Sequence, residues 1–264
     1  MEKKKSTFRS RILAGEMQIG MTCLLGAEVL EIAAVRGLDF AWMDMEHAPR
    51  TVHDVVDFAR AADAQDIPLM VRLPALDATI ATAVLDAGAI GYLVPHVQTA
   101  EQAAQAVAFA KYAPRGERGM CHQTRSANYT EWAGWAEVWP KANEETVVGV
   151  IVEDPVGVEN LEEICAVEDL DIVWLGAGDY SQTLGIGGAH TDELIMQARL
   201  RTFEMCKKHG KVAYCQLPVL GAQEAFEMWY EHGLRFFTWP DASIFAEALT
   251  GLLEGARDSV AVGV

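Results

Sequence analysis

Between Phe40 and Arg50 the chain reads FAWMDMEHAPR, an apolar run that breaks into Asp44, Glu46 and His47 within four positions. Similar breaks occur at Arg72 in VRLP, at Glu153 in VIVED and at Asp179 in LGAGDYS. For any one of these residues a satisfied ion pair or helix cap is the competing account; four apolar runs ending alike point to a common site. Glu153 and Asp179, on different runs, suit a hard divalent cation bound through oxygen, with positions left open for a bidentate ligand and waters. The glycines beside Asp179, including Gly178, leave the backbone bare, so amide groups can approach a carboxylate closely. Arg72 offers a planar, permanently charged fork for a carboxylate or a developing oxyanion. His47 is the neighbour whose unperturbed pKa suits proton transfer near neutrality. His96, after Pro95, is a weaker candidate to line the site; His53, His190, His209 and His232 sit in helical or loop contexts, and the role of His122 is left open.

The elements that must position these groups follow from the hydrophobic pattern. Short apolar, β-branched runs alternate with longer helical patterns, IGMTCLLG before AEVLEIAAVRG and so on to RFFTWP before SIFAEALTGLLEGAR, eight units in all. Strict alternation implies a parallel sheet covered by helices, and eight repeats in this length predict an α/β fold of the (β/α)8 TIM-barrel type. A doubly wound sheet is the alternative, but no G-x-G-x-x-G follows the first strand. In a barrel the active site lies at the C-terminal ends of the strands, where the residues above fall. Gly88, Gly210 and Gly233 mark helix ends. VENLEEICAVE reads as one helix, and DIVWLGAGD as a strand running up to Asp179. A stretch at about 113–145, after the fourth unit, is too long for an ordinary connection and carries three tryptophans that should order it by packing. Its Arg115, Arg118 and Arg125 could reach an anion, although salt pairing is the commoner fate.

Nothing divides the 264 residues, so a single domain spanning 1–264 is expected. The formal charge of -17 repels polyanions, and the basic residues cluster only in the opening MEKKKSTFRSR, which reads as a solvated tail. Nucleic-acid binding is a poor fit, and without an apolar run after that start neither a membrane anchor nor a signal peptide is indicated. Five cysteines without close pairing read as reduced thiols, and a cytoplasmic protein is expected.

WMDMEHAPR, VRLP, VLDAGAIGYLVPHVQTAEQA, YAPRGERG, VEDPVGVENLEEI and LGAGDYSQTLG lie in this order along nearly the whole chain. In them the sequence resembles the HpcH/HpaI-type class II pyruvate aldolases, the 4-hydroxy-2-oxoheptanedioate aldolase family. The resemblance implies a metal-dependent lyase that makes or breaks a carbon–carbon bond between the enolate of a 2-oxo acid such as pyruvate and an aldehyde. Mg²⁺, Mn²⁺ or Co²⁺ would serve, without an organic cofactor. By matching positions Glu153 and Asp179 look like the metal carboxylates and Arg72 like the group on the enolate oxygen. His47 resembles the base, Asp86 of VLDAG the carboxylate that orients it, and Asp44 the acid near the metal's waters. Gly178, Asp179 and Gln216 join Arg72 at the substrate. Ile151, Ala177, Tyr180 and Gln216 depart from the usual pattern. The resemblance also implies a homo-oligomer, commonly a hexamer, and the apolar C-terminal helix is compatible with exchange between subunits. A citrate-lyase-like CoA-ester lyase, an enolate-forming decarboxylase and a non-catalytic scaffold barrel are the alternatives. A Schiff-base mechanism is disfavoured, because no lysine sits within a strand except Lys211 at a strand's first position.

Overall fold

A computed structural model of the chain describes residues 7–187 and 192–261; the first six residues of the basic start, and His190, lie outside them. Eight strands pair in parallel and in chain order: β1 (Gln18–Cys23), β2 (Phe40–Asp44), β3 (Leu69–Arg72), β4 (Gly91–Val94), β5 (Val147–Val152), β6 (Ile172–Leu175), β7 (Val212–Gln216) and β8 (Phe236–Pro240). The last strand closes on the first, giving the eight-stranded (β/α)8 barrel. The helices are α1 (Phe8–Leu13), α2 (Ala27–Ala34), α3 (Val52–Ala64), α4 (Ala78–Ala87), α5 (Ala100–Ala110), α6 (Trp135–Glu145), α7 (Pro155–Glu159), α8 (Leu161–Cys165), α9 (Ala177–Thr183), α10 (Glu193–Lys208), α11 (Ala222–Glu231) and α12 (Asp241–Ala261). None of them is long and apolar enough to cross a membrane.

Side chains alternate across each strand, so one set fills the barrel and the other meets the helices. Phe40, Trp42, Met70, Leu93, Ile151, Ile172, Trp174, Tyr214 and Phe236 form the inner cluster. Part of the start that reads as a solvated tail belongs to it instead. Helix α1 inserts Phe8 against Phe40 and Phe236, at ring separations of 5.6 and 6.1 Å, and closes the N-terminal end of the barrel. Arg9 then ties α1 to Asp171 at 2.8 Å, so its charge is used in the fold.

Local signals set the helix starts. Thr51 with Asp54 and Thr99 with Gln102 form capping boxes, and Asp77 caps α4 through the amides of Thr79 and Ile80. Gly88 ends α4 at φ 118°, a conformation that side chains resist. VENLEEICAVE folds as two short helices, because Asn160 leaves helical geometry (ψ 8°) and sends its side-chain amide to the Gln98 carbonyl. Within the stretch after α5, Trp135 packs edge-on against Tyr112 and α6 leads directly into β5. Its arginines pair with acids: Arg115 with Glu144 and Asp169, Arg118 with Asp86, Arg125 with Asp63.

Helix α12 departs from the barrel. Asp241 at its start accepts the amides of Leu24 and Leu25, both at 2.9 Å, but Ile244, Phe245, Leu249, Leu252 and Leu253 are exposed along its length.

Candidate active site

The inner layer of the barrel supplies a rigid floor. Trp42 and Trp174 meet edge to face at 5.7 Å, and the Trp42 indole donates to the Tyr214 hydroxyl at 2.9 Å. Tyr214 in turn joins Thr238, and Thr22 reaches both Thr238 (3.0 Å) and Gln216 Oε1 (3.1 Å). The hydroxyls of Tyr214, Thr238 and Thr22 and the Trp42 indole thus form one connected chain of hydrogen bonds below the mouth. The Arg72 guanidinium rests on the floor, 5.1 Å from the Trp42 ring and 5.7 Å from that of Trp174.

Sheet register brings Arg72 to Asp44, for their Cα atoms are partners across β2 and β3. Both Asp44 oxygens take hydrogen bonds from Arg72, Nε at 3.0 Å and Nη2 closer still. Asp44 Oδ1 also accepts the amides of Glu46 (2.9 Å) and His47 (3.3 Å), and so turns the chain back over the guanidinium. Burial alone would raise the Asp44 carboxyl; the hydrogen bonds and charge of Arg72 with the two amides outweigh it and hold it below its ordinary value. Asp44 is thus an ionised positioning group, fully enclosed, rather than a group open to water. Glu46 adds a second carboxylate to Arg72, Oε2 to Nη1 3.2 Å, and stands 3.5 Å from His47 Nε2. The His47 side chain is about half exposed.

Glu153 follows β5 and points into the mouth, while the next residue, Asp154, caps α7 through the Gly157 amide and Pro155 takes the first helical position. The sequence EDP thereby separates one inward acid from one structural acid. Glu153 Oε1 accepts the His96 amide at 2.6 Å and lies 3.0 Å from His96 Nδ1, whose Nε2 is 3.1 Å from Glu46 Oε1. His96 holds this bridge with φ 56°, an unusual conformation for a side-chain-bearing residue and one found at functional sites. Burial pushes the Glu153 carboxyl well above the usual carboxylate range, and the charges of Glu46 and Asp179 push the same way against the His96 contacts. Asp179 sits in the first turn of α9, which begins two residues after β6 ends; the strand read up to Asp179 is in fact shorter and gives way to a helix. Gly176 is required beside them, since a Cβ there would lie 2.5 Å from Glu153 Oε2.

One cavity of about 570 Å³ is lined by His47, Arg72, Glu153, Gly178, Asp179 and Gln216. Six residues singled out in the sequence therefore converge. Asp86 does not join them: on α4 it accepts from Arg118 at 2.8 Å and makes no hydrogen bond or ion pair with His47 among the described residues. The carboxylate that faces His47 within the chain is Glu46. Glu46, His96 and Glu153 also place one ligand atom each within 4.8 Å of one another, a second donor set sharing Glu153 with the pair named from the sequence. Its signal was present in the histidine after Pro95, but the link to Glu46 is visible only once β2 and β4 are folded side by side with β3.

A parallel (β/α)8 barrel that gathers carboxylates, a pinned arginine and a histidine at its C-terminal mouth has the form of an enzyme active site. The profile of the HpcH/HpaI aldolase/citrate lyase family matches residues 24–228, and the chain belongs to that family. It is 32% identical over 223 residues to a 5-keto-4-deoxy-D-glucarate aldolase of Klebsiella pneumoniae subsp. pneumoniae, covering 84% of this chain and 86% of that one. With a hydroxypyruvate/pyruvate aldolase of Sagittula stellata it shares 35% identity over 211 residues, 80% of this chain and 82% of the relative. The crystal structure of an HpcH/HpaI aldolase/citrate lyase family protein from Burkholderia cenocepacia superposes with a TM-score of 0.87 at 28% identity, over 94% and 98% of the two chains. The protein is a carbon–carbon lyase of the aldolase type.

Proposed function

We propose that the enzyme joins or separates a 2-oxo acid of the pyruvate type and an aldehyde through the enolate of the acid, with a divalent cation at Glu153 and Asp179. The observation that carries this reading is the convergence of Arg72, His47, Glu153 and Asp179 on one cavity. The donor set suits a cation: Glu153 is buried, opposed by two further carboxylates and raised accordingly, and a hard cation is the counter-charge such oxygens take. When bound, the cation would supply Lewis acidity to the ketone oxygen of the donor.

The chain's own groups account for the remaining steps. Arg72, its fork fixed by Asp44 and Glu46 and its face by two indoles, presents its charge toward the oxygen on which electrons accumulate. His47 takes a proton from the carbon next to the ketone as that C–H pair moves toward the ketone oxygen, and Glu46 stabilises the imidazolium formed. The enolate carbon then bonds to the aldehyde carbon, the aldehyde's carbonyl pair passes to its oxygen, and His47 returns the proton there. Cleavage is the reverse. Asp44, by contrast, acts through Arg72 and the Glu46–His47 turn.

Proton NMR of pyruvate in D₂O with the enzyme and Mg²⁺ tests the reading without any choice of aldehyde. Loss of the methyl signal that needs both metal and His47, and is absent in His47→Ala, is expected. Calorimetric titration with Mn²⁺ should show binding kept in His47→Ala and lost in Glu153→Ala. No exchange with pyruvate, hydroxypyruvate or 2-oxobutyrate, or the reverse pattern of metal binding, would refute it. We further propose a homo-oligomer in which a second copy covers the exposed apolar face of α12, and a cytoplasmic setting, in keeping with the five free cysteines.

A further inference from the structure

A second cavity, of about 400 Å³, opens at the opposite end of the barrel from the catalytic mouth, where the chain turns from α10 into β7 and from α11 into β8. Helix α1 lines it with Ile12 and Leu13, and Phe203, Val212 and Leu234 complete an apolar wall. Phe203 meets Trp229, which lines the catalytic cavity, edge-on at 5.2 Å, so packed rings stand between the two cavities. The charge of this second cavity is one-sided. Lys207, Lys211, His232 and Arg235 line it and no carboxylate does, in a chain with 38 acids against 21 lysines and arginines. Glu16, Glu204 and Glu231, near in sequence, are exposed and make no ion pair with these groups among the described residues.

Two of the cations are held in place. Arg235 lies 3.8 Å over the Tyr230 ring and directs Nη1 to the carbonyls of Tyr230 (2.9 Å) and Leu234 (2.7 Å), which leaves Nε and Nη2 without a hydrogen-bond partner among the described residues. Lys211 donates to the Val167 carbonyl at 2.7 Å, and burial pulls its ammonium below its ordinary value, a deficit that a neighbouring anion would offset. Lys207, in the last turn of α10, makes no hydrogen bond or ion pair among the described residues. The partial negative charge at the C-terminal end of α11 works against an anion here. His232 Nδ1, donating to the Met228 carbonyl at 2.7 Å, and Arg235 on that of Tyr230 already compensate it.

We propose that this cavity is a ligand site separate from the catalytic one, taking a small organic phosphate monoester whose head lies among Arg235, Lys207 and Lys211 and whose apolar body lies against Ile12, Leu13 and Leu234. The free edge of the Arg235 fork suits two oxygens of one head group, and the two ammonium groups act as point charges on the remainder. A monoester carries about -1.5 to -2 charges at pH 7, which three cations match better than the single charge of a carboxylate. Leu13, exposed in the free protein, is the wall that such a body would cover. The carbon–carbon chemistry passes through none of these residues, so the site stands whether or not pyruvate is the donor.

Titration calorimetry of the full-length enzyme with phenyl phosphate, inorganic phosphate, benzoate and phenol tests this. Phenyl phosphate should bind with a Kd of about 1 mM or tighter, and about tenfold or more tighter than inorganic phosphate, which lacks the apolar body, or benzoate, which lacks the second charge. Phenol should bind most weakly. Arg235→Gln should weaken phenyl phosphate by about 10- to 100-fold, and Lys207→Gln, at an exposed position where the fold has little at stake, by about threefold or more. Thermal unfolding without ligand separates a lost contact from a loosened barrel end in Arg235→Gln. Glu153→Ala, at the other end of the barrel, should leave the affinity unchanged. No binding of phenyl phosphate, phenol binding as well as its phosphate, or an affinity unmoved in Lys207→Gln and Arg235→Gln would overturn the site. An affinity lost in Glu153→Ala instead would put the ligand in the catalytic cavity and overturn it too. Benzoate binding as tightly as phenyl phosphate would overturn the monoester assignment in favour of a carboxylate.

Discussion

Replacing Asp44 by alanine should destabilise the barrel more than its position at a site mouth would suggest. Asp44 is fully buried and accepts from Arg72 Nε and Nη2 and from the amides of Glu46 and His47. Arg72 is 7% exposed and cannot follow its lost partner into water. In Asp44→Ala it keeps Glu46 Oε2 at 3.2 Å and the two indoles beneath it, a fraction of its former compensation. Removing one member of a buried pair costs about 3–5 kcal/mol, which for a chain of this length is roughly 6–20 °C in Tm. The two released amides lie near the mouth, where water can reach them, and add little. Urea unfolding should show a lower midpoint at nearly constant slope. Asp44→Leu combined with Arg72→Met should recover part of the loss, because neither charge then remains uncompensated. The pH dependence has a definite sign. The folded carboxyl lies below its unfolded value, so the unfolded chain binds more protons in the interval between them and stability rises with pH there. The contribution is fully present above about pH 4 and fades as pH falls through the folded value, so wild type and Asp44→Ala should converge in acid. A Tm change under about 2 °C, or an unchanged gap between the two proteins at low pH, would refute the reasoning.

Gly176→Ala places a Cβ 2.5 Å from Glu153 Oε2 and 2.8 Å from Glu153 Cβ, at an ordinary φ of -70°, so the conflict is with the acid and not with the backbone. Mn²⁺ affinity should fall by about 10- to 100-fold in titration calorimetry, and an unchanged isotherm would remove Glu153 from the cation site. Lys111 is fully buried, donates to the carbonyls of Asn143 (2.8 Å) and Thr146 (2.7 Å), and is brought by burial down to about 8. An unfolded lysine holds its proton to about 10.4, so stability should rise between about pH 8 and 10; urea titrations of Lys111→Met should lack that slope. Phe245→Glu with Leu252→Glu on α12 should yield a smaller species in light scattering after gel filtration, and an unchanged mass would show that a second copy does not cover this face.

What was legible in the sequence depended on local pattern. The eight-fold alternation of apolar run and helix, and polar residues placed directly after such runs, are properties of neighbouring residues, and they led to the barrel and to Arg72, His47, Glu153 and Asp179 around one cavity, whereas Gln216 was singled out only through the family resemblance. Where tertiary pairing decides, the pattern carried no signal. The pairing of Asp44 with Arg72 is a matter of register across 28 residues, and that of Asp86 with Arg118 depends on how the stretch after α5 folds back. His96 reaches Glu46 and Glu153 only because its backbone adopts φ 56°. Short helices were also hidden: α9 lies in a glycine-rich stretch that intrinsic propensity disfavours, and α1 in a basic segment whose Phe8 and Ile12 are its sole buried positions.

The same distinction sorts the residues that depart from the usual motif. Ile151 faces the barrel interior, fully buried in the inner apolar layer, so its change concerns packing beneath Glu153. Orientation of Glu153 falls to the His96 amide and to the space left by Gly176. Tyr180 turns outward into the larger core between strands and helices, and burial raises its hydroxyl, so it works as a hydrophobic residue with no line to the substrate. Ala177 opens α9 and touches the cavity with a methyl group at most. Gln216 differs from all three. It lies at the end of β7 on the cavity wall, its Oε1 already accepts from Thr22, and its amide N–H groups are the donors it can offer a ligand.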